Sequence, residues 1–353
     1  MYDYLMQSQT KNQAKHFTRP KHSTAYSIAL CFGVILLSAG SWLFAYVWHW
    51  QNRPHVLEIY CFKPDSGSTA TEMVIFIRTP QGKTALIDGG KSDAIIHDLT
   101  SVMPFYDRTI NTLILTNDDD SHATGLVSVL GRYHVGQVYE MAVPATSSSA
   151  YTEFENILAH SLAKNAIHEE VGEGDTMNIG ELSAKVIFPP ALSTVSTAST
   201  TDFKFSKTNA PTLAFSLTYG STTLFFGGLI TKTEQKYIAA TMASSSNVSS
   251  STILILPKGE NISAVDEGFF SALHPNIVVI SRKPRSVTVK SDTAMPAVVI
   301  ATTTKTGKIK KQSKPPKPPF DISTMPDISI TNLAIDGDVE FISDSLTFIE
   351  KNI

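Results

Sequence analysis

Cysteine is nearly absent from this 353-residue chain, which has two. Cys31 falls inside an apolar run and Cys61 stands alone beyond it, so the sequence offers neither a disulfide framework nor a CxxC metal site. Charge is also sparse. Asp, Glu, Lys and Arg make up 17% of the residues and the formal net charge is −3, so no global excess points to nucleic acid. Ser and Thr supply much of the polar surface instead. No GxSxG elbow and no Gly-rich phosphate loop occurs, which removes the sequence signatures of two common nucleophilic and nucleotide-binding sites. What remains is an ordinary globular composition, 42% hydrophobic, long enough for one large domain or two coupled ones.

One hydrophobic run stands out. Ala25–Trp48 carries no charge, and as a helix it measures about 36 Å against a hydrocarbon core of about 30 Å. Trp42, Tyr46, Trp48 and Trp50 collect near its C-terminal end, where amphipathic rings favour the membrane interface. Lys11, Lys15, Arg19 and Lys21 precede it and only Arg53 follows closely. The positive-inside bias places residues 1–24 in the cytoplasm, 25–48 across the membrane and the remainder outside the cytoplasm. A cleaved signal peptide or a buried helix is the alternative. The run is long and ends in bulky aromatics rather than a small-x-small cleavage site, which favours the anchor.

Beyond the run, the patterning predicts strands at Val56–Phe62, Met73–Thr79 and Thr84–Asp88. A helix over 93–105, a buried strand at Thr112–Thr116, a helix over 123–131 and a strand over 136–143 follow. A helix at Tyr151–Ala163, strands at Lys185–Phe188, Thr212–Thr218 and Thr222–Phe226, a helix over 231–243, and strands at Ile253–Leu256 and Ile277–Ile280 complete the series. Residues 191–207 read as a Ser/Thr-rich surface loop. Asp336-Gly337 reads as the turn of a terminal hairpin. The alternation predicts a layered α/β domain. Residues 305–320 form a Lys/Pro-rich insert or linker, because such a run resists both helix and central strand.

Six pieces stand in a familiar order: PQGKTALIDGG (80–90), NTLILTNDDDSHATGL (111–126), GEGDTMNIGELSAKVIFPP (172–190), NAPTLAFSLTYGSTTLFFGG (209–228), ILPKG (255–259) and LHPNIVVIS (273–281). With them the chain resembles the exported metallo-β-lactamase-like domain of the ComEC competence-protein family, without that family's multi-pass channel. The resemblance covers about residues 56–345. It implies a four-layer αββα sandwich with its site at one edge of two sheets, and in the complete family pattern a dinuclear metal centre.

Matched residue by residue, most of that centre is missing. The first metal loop of the family runs roughly Thr-His-x-(His or Asp)-x-Asp-His. Thr116 and His122 match and Asp119 takes the His-or-Asp position, but Asn117 replaces the first histidine and Ser121 the aspartate. Leu229 stands where a bridging aspartate closes a turn, and Pro257-Lys258-Gly259-Glu260 replaces a histidine-bearing segment. The resemblance therefore implies a degenerate site with no catalytic residue assigned. Lys258 is placed by the same alignment near Asp119 and Asp120, where an ammonium stands in for part of the metal charge.

Two readings of the acidic loop remain open. Asp88, Asp119, Asp120 and His122, with Asp118 beside them, assemble a reduced site for one divalent cation, Mn²⁺, Mg²⁺ or Zn²⁺, and a residual nuclease or phosphoesterase follows. Alternatively, NDDDSH is a solvated turn whose Asn117 or Asp118 caps the next helix, and Asp88 stabilises the turn before Gly89-Gly90. Outside the site, Arg282–Lys317 holds ten Lys/Arg residues and one acid. Lys308, Lys310, Lys311, Lys314 and Lys317 are the candidate contacts to DNA or another polyanion, or they belong to a solvated linker. The sequence thus favours a membrane-anchored, non-catalytic binding or scaffold domain in a DNA-uptake or envelope complex. A membrane-complex protein is the expected partner.

Overall fold

The computed structural model describes residues 22–51, 55–63, 73–142, 148–162, 165–190, 212–242, 251–256, 265–281 and 328–353. The chain divides into two compact units, Met1–Pro54 and His55–Ile353. The first unit contains α1 (His22–Gln51), a continuous helix. Its segment Tyr26–Tyr46 is long and apolar enough to cross a membrane, with none of its most apolar window buried against protein. A signal sequence passes the same test of length and composition. Trp42 and Tyr46, one turn apart, stack with centroids 5.7 Å apart.

The second unit opens with β1 (Leu57–Phe62), β2 (Val74–Arg78) and β3 (Thr84–Ile87), an antiparallel series. Next come α2 (Ile95–Val102), β4 (Thr109–Leu115), α3 (Asp120–Arg132), β5 (His134–Met141), α4 (Ser149–Leu162) and β6 (Ile167–Val171). Strands β3 to β6 are mutually parallel, so each connection must cross over, and α2, α3 and α4 provide the crossovers. The chain then forms β7 (Thr176–Ile179), β8 (Leu182–Phe188), β9 (Ala214–Tyr219), β10 (Thr222–Phe226), α5 (Lys232–Met242), β11 (Ser251–Leu256), α6 (Glu267–Leu273) and β12 (Ile277–Ile280). It ends with β13 (Ser329–Asn332), the short α7 (Leu333–Asp336), β14 (Val339–Ser343) and β15 (Phe348–Asn352).

These strands make two sheets. The eight-stranded sheet runs β15-β14-β1-β2-β3-β4-β5-β6 and the seven-stranded sheet β13-β12-β11-β10-β9-β8-β7. Three apolar clusters define the layers. Ile59, Ile77, Ile87, Phe215, Leu224 and Ile255 belong to the cluster shared by both sheets. Leu86, Leu99, Leu113, Leu126, Val138 and Phe154 join α2, α3 and α4 to the outer face of the larger sheet. Phe225, Leu254, Ile238 and Phe269 join α5 and α6 to the outer face of the smaller one. Alternate residues of a strand face opposite sides, so a strand covered on both faces must be apolar throughout. All four residues of β3, TALI, are buried for that reason. The result is the αββα sandwich that the resemblance implied.

Several expected boundaries shift. Residues 333–336 are helical rather than part of a strand, and the terminal hairpin turns at 344–347, not at Asp336-Gly337. Its strand β15 carries the sheet past residue 345, to Asn352. Strands β6 and β7 and helix α6 were not expected. Strand β6 alternates weakly because it is an edge whose Ile167 is 55% exposed, and seven-residue α6 is too short to show a helical period. The 191–207 loop and the 305–320 insert lie outside the described residues. Cys31 and Cys61 are both free, Cys61 fully buried between the sheets.

Candidate functional site

The polar cluster of interest lies at the C-terminal ends of β3 and β4. Strand β3 ends at Ile87, and Asp88 turns the chain with φ +61°, a left-handed conformation that few residues other than Gly, Asn and Asp adopt. The Asp88 N–H continues the parallel ladder by donating to the Ile114 carbonyl at 2.9 Å. Its carboxylate is 1% exposed and is held from the next strand. Thr116 N–H donates to Oδ1 at 2.9 Å, and Thr116 Oγ1 donates to Oδ2 at 2.6 Å. His122 Nδ1 lies 2.9 Å from the same Oδ2. His122 is itself buried, on the first turn of α3.

Backbone contact explains why these residues meet. Gly89 and Gly125 pass so closely that a Cβ on Gly125 would sit 1.9 Å from the Gly89 carbonyl oxygen, and one on Gly89 2.3 Å from Leu126 N. Gly89 N–H donates to the His122 carbonyl at 2.9 Å, and Gly125 N–H to the Gly90 carbonyl at 3.0 Å. Helix α3 is thereby pressed onto the loop after β3, and His122 is delivered to Asp88.

The remaining residues of the acidic loop shape the start of α3. Asn117 Oδ1 accepts the Asp119 N–H at 2.9 Å. Asp119 occupies the N-cap, its side chain accepting the Asp120 N–H at 2.9 Å. Asp120 Oδ1 accepts the Ala150 N–H at 3.1 Å, and Ser148 Oγ donates to the Asp118 carbonyl at 2.7 Å, so α4 is fastened to the same loop. Ser121 follows on the first turn of α3. The helix cap expected of Asn117 or Asp118 is made by Asp119.

The other rim belongs to the smaller sheet. Leu213 N–H donates to the Thr116 carbonyl at 2.8 Å, a bond between the sheets. Leu229 N–H donates to Thr212 Oγ1 at 3.2 Å. Gly228, at φ +56°, lets the chain pass Thr212, whose Oγ1 would meet a Cβ there at 2.4 Å. Leu229 follows half-buried, bringing an apolar side chain to the turn after β10. Lys258 and the lysines at 308, 310, 311, 314 and 317 lie outside the described residues.

A second polar group lies beside Asn117 and was not anticipated. A cavity lined by Leu115, Asn117, Asp118, Glu140, Met141 and Tyr151 opens at the end of β4 and β5. Glu140, 5% exposed, accepts from Tyr151 Oη at 3.2 Å and lies 2.7 Å from His168 Nε2. Burial, then the neighbouring Glu155, pushes its carboxyl above the usual range, while His168 and Tyr151 pull it down. Burial also raises the Tyr151 phenol, helped by Glu140, Glu155 and Asp118. The only sequence signal was a glutamate near the end of a strand otherwise fit for burial, HVGQVYEM.

The described residues do not fit the dinuclear centre that the resemblance implies. Both Asp88 oxygens are engaged by Thr116, and Asp119 and Asp120 accept backbone N–H groups. Leu229, where the resemblance implies a bridging carboxylate, offers no ligand, and no group of three or more His, Cys, Asp or Glu among the described residues is placed to hold a metal ion.

No family model matches the sequence, and no curated protein does. Solved structures do show likeness. CmlA, a diiron β-hydroxylase from Streptomyces venezuelae, is 16% identical with a TM-score of 0.38 over 64% of this chain, and the chain spans only 44% of its length. The metallo-β-lactamase fold protein YhfI from Bacillus subtilis is 10% identical with a TM-score of 0.39, covering 63% of this chain and 85% of its own. Tm1679, described as a metal-dependent hydrolase of the β-lactamase superfamily, is 12% identical with a TM-score of 0.38, covering 63% and 86%. The layers and strand order described above carry the fold assignment for this chain.

Proposed function

We propose that this chain is a membrane-anchored αββα domain acting as a non-catalytic binding or scaffold module at the outer face of a membrane, within a DNA-uptake or envelope complex. The supporting observation is the engagement of Asp88. Its two oxygens receive two bonds from Thr116, and Oδ2 also meets His122. A carboxylate so engaged fixes a turn, and binding a cation would require it to exchange those contacts. Leu229 on the facing rim supports the same reading, because a half-buried alkyl group contributes no charge to hold a cation.

The test is an assay of the full chain against a phosphodiester and linear DNA with Mn²⁺, Mg²⁺ or Zn²⁺ added. The proposal expects no turnover above buffer. Turnover that persists through purification and disappears in Asp88→Asn would replace it with the reduced single-metal hydrolase. The approach of His122 to Asp88, two of the residues such a site would use, favours that alternative. For the binding side, changing Lys308, Lys310, Lys311, Lys314 and Lys317 together to Gln weakens DNA affinity and flattens its salt dependence. Unchanged affinity would sink the DNA version and leave a protein partner in the membrane complex.

A further inference from the structure

At the opposite end of the larger sheet from Asp88, the surface is unusual. Strand register places Leu57, Arg78, Thr84, Thr109 and His134 together at this end, because β1 pairs antiparallel with β2, β2 with β3, and β3 to β5 run parallel. The chain enters the domain here, since β1 begins at Leu57. The turn Pro104–Asp107, closed by Asp107 N–H to the Pro104 carbonyl at 2.9 Å, leads into β4 at the same end. Its two central residues are Phe105 and Tyr106, 86% and 70% exposed, their rings edge-on 5.3 Å apart. The β14–β15 turn adds Leu346, 66% exposed. Large apolar groups at the tips of two turns, at one end of a sheet, gain nothing from water.

Cations flank them. Arg108 and Arg132 are exposed, and Arg108 is steadied over the Tyr133 ring at 5.4 Å from its centroid. The acids nearby hold their own turns: Asp107 accepts the Thr109 N–H, and Asp344 accepts those of Leu346 and Thr347.

We propose that this end of the domain rests on the membrane, with Phe105, Tyr106 and Leu346 entering the headgroup region and Arg108 and Arg132 meeting lipid phosphates. Aromatic rings favour that depth, and arginine pairs with phosphate. The occupant is a bilayer rather than a protein because of the chain's length. From Tyr46, the last residue of the apolar span, five helical residues to Gln51 and six extended ones to Leu57 reach at most about 28 Å. The inference rests on reading α1 as a membrane span; on that reading, the entry end cannot leave the surface by more than this reach.

The test uses the full chain in phosphatidylcholine–phosphatidylserine vesicles, with an environment-sensitive dye on one cysteine and spin-labelled lipids as quenchers. Cys61 is buried and stays unlabelled. In a Cys31→Ser background, dye at Tyr106→Cys is expected to be quenched severalfold more than dye at Asp93→Cys, an exposed position in the loop after β3. Adding Phe105→Ala is expected to lower the quenching at position 106. Native Cys31 in α1 reports the span itself. Strong quenching at Cys31 with equal, weak quenching at 106 and 93 overturns this inference and leaves the span intact. No quenching at Cys31 overturns both.

Discussion

The two rims of the candidate site are built differently. The rim after β3 and β4 has polar residues tied into the fold: Thr116 donates to Asp88, His122 Nδ1 approaches Asp88 to 2.9 Å, and Asp119 caps α3. The rim after β9 and β10 keeps its tight turn at Gly228 but presents Leu229. A buried carboxylate such as Asp88 is therefore accounted for by the bonds it receives within the fold. On the sequence alone Asp88 and His122 are open to two readings, a reduced metal site or a turn and helix start. Among their neighbours they read as the brace between β3, β4 and α3. Leu229 contributes its backbone N–H to Thr212 Oγ1 and an alkyl side chain that is half-buried.

The most damaging change to the first rim is expected at its backbone crossing. Gly125→Ala places a methyl 1.9 Å from the Gly89 carbonyl and should cost about 3 kcal/mol or more, since both contacting groups are main chain. Gly131→Ala, in the same helix with nothing within 4 Å, should be neutral or stabilising by up to about 1 kcal/mol. Equal effects in urea denaturation would mean that the crossing is not what fixes the site.

Next comes the brace. Asp88→Ala orphans the Thr116 N–H and hydroxyl in a buried place and should cost about 2–3 kcal/mol. Asp88→Asn, which keeps an acceptor and tolerates the positive φ, should cost less. Thermal unfolding of the pair checks this, and the reverse order would contradict a bracing role.

Asp98 sharpens the comparison by being the opposite case, a half-buried carboxylate whose Oδ2 has no hydrogen-bond partner. Burial, then repulsion from Asp338, pushes it up to about 6. A carboxyl whose folded value is raised favours the fold while protonated in both states. Stability is therefore lost as pH rises from about 4 to about 6, and the loss is complete above that. Asp98→Asn should flatten this window and stabilise the protein at pH 7 by about 1 kcal/mol, discounted for partial solvent screening. A variant as pH-sensitive as the parent would remove Asp98 as the cause.

The smallest effect is expected on the second rim. Leu229→Asp should change stability by less than about 1 kcal/mol, because the side chain is only half-buried. It should gain no affinity for Mn²⁺ or Zn²⁺ by calorimetry, as the facing rim offers no free ligand set. Tight metal binding by this single variant would show that the first rim is poised for a cation.

A layered α/β domain was legible because its central strands are written plainly, while the αββα order came from the resemblance. TALI and TLILT are short apolar runs followed by Asp or Asn, and α3 was expected from 123 but begins at Asp120, capped by Asp119. What escaped was set by tertiary context. IHEEV pairs as an edge strand despite its two glutamates, and α7 interrupts a run that alternates like a strand. At the site, the resemblance singled out Asn117, Ser121 and Leu229, whereas the Thr116–Asp88–His122 contacts depend on how closely Gly89 and Gly125 approach. The Glu140–Tyr151–His168 group was invisible because its members come from three separate elements, and a buried glutamate leaves no periodic mark.

The central claim, that these residues brace the fold and do not hold a metal, meets its most direct test in the metal content of the purified full chain. Elemental analysis would follow dialysis against Zn²⁺ or Mn²⁺, with Asp88→Asn/His122→Ala alongside. The expected result is substoichiometric metal in both proteins, with the double variant less stable. One metal ion per chain, lost in the double variant, would contradict the account.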